Sequence, residues 1–164
     1  LAKKHKAWMA SDEIYEYIVY DGRKHVRPPT IGDLRERTIT IMGFSKTFSI
    51  TGWRLGYAVA PPAMARAMTL VNDLFYVCAS TPLQHGVAAG LKAPPEYFTN
   101  LAAQYQTKRG ILCDALTEAG LKPLIPQGAY YVLADVSHLR FPNAKTAAER
   151  IVNGAKEEAR RGVL

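Results

Sequence analysis

Cysteine is scarce in this chain of 164 residues: only Cys78 and Cys113 are present, in neither a CxxC pair nor a metal-type spacing. A disulfide scaffold and a cysteine-built metal centre are thereby excluded. One chance disulfide stays open, but two isolated thiols suit a reduced, cytoplasmic setting better. Long apolar runs are lacking too, and none approaches the roughly 20 residues a membrane helix needs. The basic start, LAKKHKAWMA, has no apolar stretch behind it and does not read as a secretory signal. Internal repeats and low-complexity tracts are missing, which excludes solenoids and disordered linkers. Acidic residues are the minority, 14 against 21 Lys and Arg, for a net charge of +7. The basic residues are spread out, with small clusters at Lys3–Lys6 and Arg23–Arg27. Neither cluster carries the interleaved aromatics of a single-strand binder. The excess therefore reads as a solvated surface that a small anionic ligand can exploit, with no nucleic acid and no membrane as partner.

What is present is globular: 48% hydrophobic and 10% aromatic residues, with 12 Gly and 10 Pro. The length fits one domain or one and a half, enough to bury roughly two-thirds of the unfolded surface. The chain does not begin with Met and ends GVL without a polar tail, so both ends read as cut. LAKKHK reads as the close of a helix and WMAS (Trp8–Ser11) as a short buried strand. GRKHVRPPTIGD is a loop, and TITIMGF (Thr38–Phe44) is the clearest strand. LGYAVA (Leu55–Ala60) is a further strand. Helices are expected from Pro61-Pro62 to Tyr76, from Thr81 (cap) to Lys92, and from Glu96 to Ala119, where Gly120 stops the last. GAYYVLADVS (Gly128–Ser137) reads as strand, and AKTAAERIVNGAKEEARR as a closing amphipathic helix.

About ten residues separate Phe44 from Leu55, too few for the dozen or more of a parallel crossover, so those strands should pair antiparallel. The longer link from Trp8–Ser11 permits parallel pairing with Thr38–Phe44. The fold class that follows is α/β, a mostly parallel sheet with one antiparallel strand and flanking helices. It leads by the long helix into an incomplete α+β segment, with the division placed at residues 1–109 and 110–164.

In an open α/β sheet, ligands bind beyond the carboxyl ends of the parallel strands. Two such ends carry ionisable groups, Asp12 and Lys46. Tyr15 lies three residues past Asp12, where one helical turn puts both on one face. Arg54 lies eight residues past Lys46, just before the returning strand, with Gly43 and Ser45 ahead of the lysine. Taken singly, Asp12 also suits a helix cap, Tyr15 a core aromatic and Arg54 a surface ion pair. Lys46 is the odd one, because a lysine directly after a buried strand, among small and hydroxylated residues, is poorly placed for a merely solvated charge.

GFSKTFSITGWRLGY, residues 43–57, resembles the lysine signature of the class I/II aminotransferases, the fold-type I pyridoxal-phosphate enzymes. SDEIY at 11–15 resembles the second cofactor motif of that family, and STPLQ (Ser80–Gln84) and GAYYVLAD (Gly128–Asp135) resemble later segments. The resemblance implies that Lys46 is catalytic, forming a Schiff base with pyridoxal 5'-phosphate and shuttling the substrate proton. It implies that Asp12 pairs with the ring nitrogen, Tyr15 with the ring's phenolic oxygen, and Arg54 and Ser45 with the phosphate. The rest of the phosphate cradle, a ring-stacking aromatic and an asparagine would lie upstream, and the substrate-carboxylate arginine beyond Leu164. No metal is implied. The expected activity moves an amino group between an α-amino acid and a 2-oxo acid in a cytoplasmic homodimer, while the isolated piece is inactive. Alternatives are a carbon–sulfur lyase or decarboxylase on the same scaffold, an aminotransferase-like effector domain of a transcription regulator, and a non-catalytic remnant. Phe75, Tyr76 and Tyr131 suit an aromatic-accepting pocket or plain packing.

Overall fold

A computed structural model of the protein describes residues 1–160. In chain order the elements are β1 (Met9–Asp12), β2 (Thr38–Gly43), β3 (Gly56–Val59), α1 (Pro62–Phe75), α2 (Thr81–Gly90), α3 (Pro95–Glu118), β4 (Lys122–Leu124), β5 (Leu133–Asp135) and α4 (Ala144–Arg160). The chain divides into two compact units. One comprises Leu1–Gln106 with Gln127–Ala129, the other Thr107–Pro126 with Tyr130–Leu164.

The first unit is built on the sheet β1-β2-β3. β1 runs parallel to β2, with Met9 opposite Thr38 and Asp12 opposite Ile41. β3 runs antiparallel to β2, from Thr40 opposite Val59 to Gly43 opposite Gly56, as the short connection between them requires. β2 is less uniformly apolar in its burial than in its sequence. Thr38, Thr40 and Met42 are buried on one face, while Ile41 on the other is 44% exposed. The Thr38 hydroxyl meets its hydrogen-bonding need by donating to the Leu34 carbonyl at 2.7 Å.

Phe44 and Phe48, just past β2, join Tyr57, Tyr97, Phe98 and Tyr17 in one chain of ring contacts, with centroids 4.6–6.5 Å apart. Tyr97 and Phe98 come from the first turn of α3, so that helix is pinned against the segment following β2. Ser80, not Thr81, is the N-cap of α2, with Pro82 in the first turn. Gly86 in α2 faces Trp53, whose ring atoms would stand 2.9 Å from an added Cβ. α1 is different: none of its residues is buried, and Leu74 and Phe75 are 81% and 84% exposed. Chain length alone predicts more burial than this, because an apolar stripe is covered only when a partner element lies against it.

LAKKHK forms only a turn, in which the His5 N–H donates to the Leu1 carbonyl at 3.0 Å. GAYYVLADVS is strand only at Leu133–Asp135. Its first residues instead hydrogen-bond to residues 18–20: Gly128 bridges Val19 antiparallel, the Tyr20 N–H reaches the Gln127 carbonyl, and the Ala129 N–H reaches the Ile18 carbonyl. The buried Tyr20 hydroxyl donates to the Ala129 carbonyl. An added Cβ on Gly128 would stand 3.0 Å from the Ile18 carbonyl oxygen, which explains the small residue there.

In the second unit β4 pairs antiparallel with β5. α3 ends where Gly120 takes φ +77°, and the Leu121 N–H closes back on the Leu116 carbonyl at 2.9 Å. Helical spacing marks Ile111 and Leu112 as core positions, yet they are 66% and 41% exposed, and Cys113 is the buried residue of this helix. Asn143 caps α4 through Oδ1, which accepts from the Thr146 N–H at 2.9 Å. Neither cysteine is in a disulfide; Cys78 is exposed and Cys113 buried. Among the described residues no helix is long and apolar enough to cross a membrane.

Candidate active site

The register of the first sheet brings four of the sequence-identified residues, Asp12, Ser45, Lys46 and Arg54, to one edge. Asp12 is the last residue of β1, and β2 ends one residue before Phe44, Ser45 and Lys46. Because β1 and β2 are parallel, both carboxyl ends lie on the same side of the sheet. β3 starts at Gly56 opposite Gly43, so Arg54 and Leu55 enter at that side too. The residues that separate Lys46 from Arg54 fold as a compact loop: the Phe44 N–H donates to the Leu55 carbonyl at 3.2 Å and the Phe48 N–H to the Phe44 carbonyl at 3.1 Å.

Asp12 is exposed, and its Oδ1 accepts from the Ile14 N–H at 3.2 Å, which starts the turn over residues 14–17. There the Glu16 N–H reaches the Glu13 carbonyl and the Ile18 N–H the Tyr15 carbonyl, two consecutive turns that share Tyr15. Tyr15 is half-buried. It lines a cavity of about 570 Å³ together with Arg23, His25 and Gly128. Ser45 and Thr47 are buried on either side of half-buried Lys46. The Thr47 carbonyl accepts from the Tyr97 hydroxyl at 2.8 Å, which ties the lysine loop to α3.

Arg54 is exposed and sits at φ +54°, the left-handed region, at the end of the turn Thr51–Trp53. Its Nη1 donates to the Thr51 carbonyl at 3.0 Å. A guanidinium offers five N–H groups in a planar fork, so one such bond leaves an edge suited to a bidentate anion. Gly43 and Gly56 keep the strand ends close: an added Cβ would stand 2.9 Å from Ile14 Cδ1 at Gly43, and 2.5 Å from the Met42 carbonyl oxygen at Gly56.

Sequence reasoning passed over Glu13 and His25. The Glu13 side chain is 3% exposed and pairs with His25 Nε2, while Ser11 Oγ donates to its other oxygen. Glu16 likewise holds Arg27, which keeps that guanidinium's pKa above its ordinary value. Burial and the neighbouring Glu16 carboxylate both raise the Tyr17 phenol. Two oppositely charged pairs recurring 11 and 12 residues apart across the Asp21-Gly22 turn are the one sequence signal for this stitching. No group of three or more His, Cys, Asp or Glu able to hold a metal ion occurs among the described residues.

The profile of the family "Aminotransferase class I and II" matches residues 1–157. The chain belongs to this aminotransferase family. Its members depend on pyridoxal phosphate, and the solved relatives have the fold-type I architecture. The kynurenine–oxoglutarate transaminase of Dictyostelium discoideum is 43% identical over 133 residues, 80% of this chain and 31% of that protein. The probable aspartate/prephenate aminotransferase of Thermus aquaticus is 36% identical over 155 residues, 93% of this chain and 39% of that protein. The aspartate aminotransferase of Thermus thermophilus, solved with maleate, superimposes with a TM-score of 0.83 at 35% identity, over 93% of this chain and 40% of that one. The chain thus spans 31–40% of the length of these relatives.

Proposed function

We propose that this chain provides the lysine-bearing part of a pyridoxal-phosphate-dependent aminotransferase that moves an amino group between an α-amino acid and a 2-oxo acid. The carrying observation is the sheet register, which gathers Asp12, Ser45, Lys46 and Arg54 at one edge although Asp12 and Arg54 are 42 positions apart in sequence. The donor set fits the cofactor. A carboxylate stands at one strand end, an amine at the next, and a guanidinium with an unused edge at the third.

When bound, the cofactor supplies a protonated pyridine ring that accepts the electron pair left by the departing substrate proton. Lys46 would hold the cofactor through its amine and, when that amine is released, would move the proton at the substrate's α-carbon. A flexible primary amine suits both tasks, because one nitrogen can bond to a carbonyl carbon and, once released, exchange a proton. Asp12 would hold the ring nitrogen protonated through a charge-assisted hydrogen bond. Tyr15 would donate its hydroxyl to the phenolic oxygen. Arg54 would take the phosphate on its remaining edge, and Ser45 would add a hydroxyl or amide contact. The upstream segments outside this chain complete the cradle, and a homodimer in the cytoplasm completes the assembly.

The named relatives favour transamination over lyase chemistry, because those found by sequence are transaminases acting on differing amino acids. Borohydride reduction of the cofactor-loaded intact enzyme, followed by peptide mapping, tests the reading. The label is expected on Lys46, and a label on another lysine, or none, refutes it.

A further inference from the structure

We propose that Glu13, clamped by Ser11 and His25, is a positioning residue that fixes the Asp12 carboxylate in the direction the cofactor's ring requires. This rests on the cofactor-site reading above.

Side chains alternate along a strand, so Ser11 and Glu13 share the side opposite to Asp12. Their hydrogen bond shows that they do, while Asp12 is exposed. Both Glu13 oxygens are occupied, one by Ser11 Oγ and the other by His25 Nε2. The backbone of residue 13 is held as well, since its N–H donates to the Ile41 carbonyl at 2.9 Å and extends the β1–β2 ladder one residue past β1. Asp12 is therefore flanked by residues fixed through side chain and main chain, and its own Oδ1 takes the Ile14 N–H at 3.2 Å. Turning Asp12 away would pull Glu13 from partners that a buried carboxylate cannot lose cheaply. An apolar residue would fill the same space without that cost, which marks the cluster as directional rather than as a gain in stability.

The test is a double-mutant cycle in the cofactor-loaded intact enzyme. Glu13→Ala is expected to lower kcat about 10- to 100-fold at nearly constant KM, the scale that a small misplacement of a catalytic group carries. It should also weaken cofactor binding and shift the balance of the cofactor's absorbance bands at neutral pH. Glu13→Gln keeps the shape and an acceptor, and should restore bands and rate close to the parent. In an Asp12→Asn background Glu13→Ala should add no further loss, because it acts through Asp12. A full multiplicative loss in that background overturns the proposal, as does lowered thermal stability with unchanged bands. Should Glu13→Ala fail to fold, Ser11→Ala and His25→Gln enter the same cycle, each removing one bond. If Asp12→Asn by itself changes neither bands nor turnover, the cofactor reading falls and this inference with it. Multiplicative losses beside an impaired Asp12→Asn overturn only the inference.

Discussion

Gly56→Ala in the intact enzyme probes the strand junction that delivers both Lys46 and Arg54. The Phe44 N–H to Leu55 carbonyl bond makes that pair a hydrogen-bonded one, so the next pair, Gly43 with Gly56, is the narrow kind. An alanine Cβ at 56 would lie 2.5 Å from the Met42 carbonyl oxygen, which is main chain and cannot swing aside. Reaching even 3.0 Å requires about 0.5 Å of strand separation, and the 3.2 Å Phe44–Leu55 bond has little length to give. Forced backbone movement costs about 1–3 kcal/mol, and one weakened hydrogen bond adds ~1 kcal/mol. A loss of about 2–4 kcal/mol is therefore expected in urea unfolding followed by far-UV circular dichroism. Gly52→Ala is the internal control: its added Cβ meets nothing within 4 Å, so the change should stay within about 0.5 kcal/mol. Equal, small effects at both glycines would refute the close-approach reasoning.

Tyr20→Phe removes the hydroxyl that serves the buried Ala129 carbonyl and leaves that oxygen without its donor. It should destabilise the intact enzyme by about 1–3 kcal/mol in the same unfolding assay, and a neutral result would show that the carbonyl finds water instead. Asp135 is held below the ordinary aspartate range chiefly by the Ser137 N–H, which donates to Oδ1 at 2.8 Å. A lowered folded-state pKa adds stability that is present above the unfolded pKa and lost as pH falls through the folded one. Carboxyl NMR titration should show the low midpoint in the parent and only a partial return in Ser137→Ala, whose backbone N–H remains. A complete return would assign the effect to the hydroxyl.

Much of the first sheet was legible because its information is local. The β-branched run at Thr38–Gly43, the ten-residue connection and the glycines around it dictate an antiparallel return whatever surrounds them. Asp12 and Lys46 stand out in the sequence as ionisable residues at strand ends, and Tyr15 and Arg54 by their short spacings from them. Glu13 and His25 were not, since a polar pair 12 residues apart says nothing by itself about which of many charges it will meet. The segment at 128–131 escapes sequence reading for the same reason: its β-prone residues fit a strand, but Gln127 and Ala129 find their hydrogen-bond partners at Tyr20 and Ile18, on either side of the Val19–Gly128 bridge.

By itself the sequence determined which residue types could do the chemistry and where the chain must turn, because backbone preference and short loop lengths act over a few residues. The tertiary structure decided which strand ends share an edge, which carboxylate is buried and which is presented, and which apolar faces stay uncovered. Those outcomes depend on pairing between segments far apart in the chain, whose closure is a property of the folded whole.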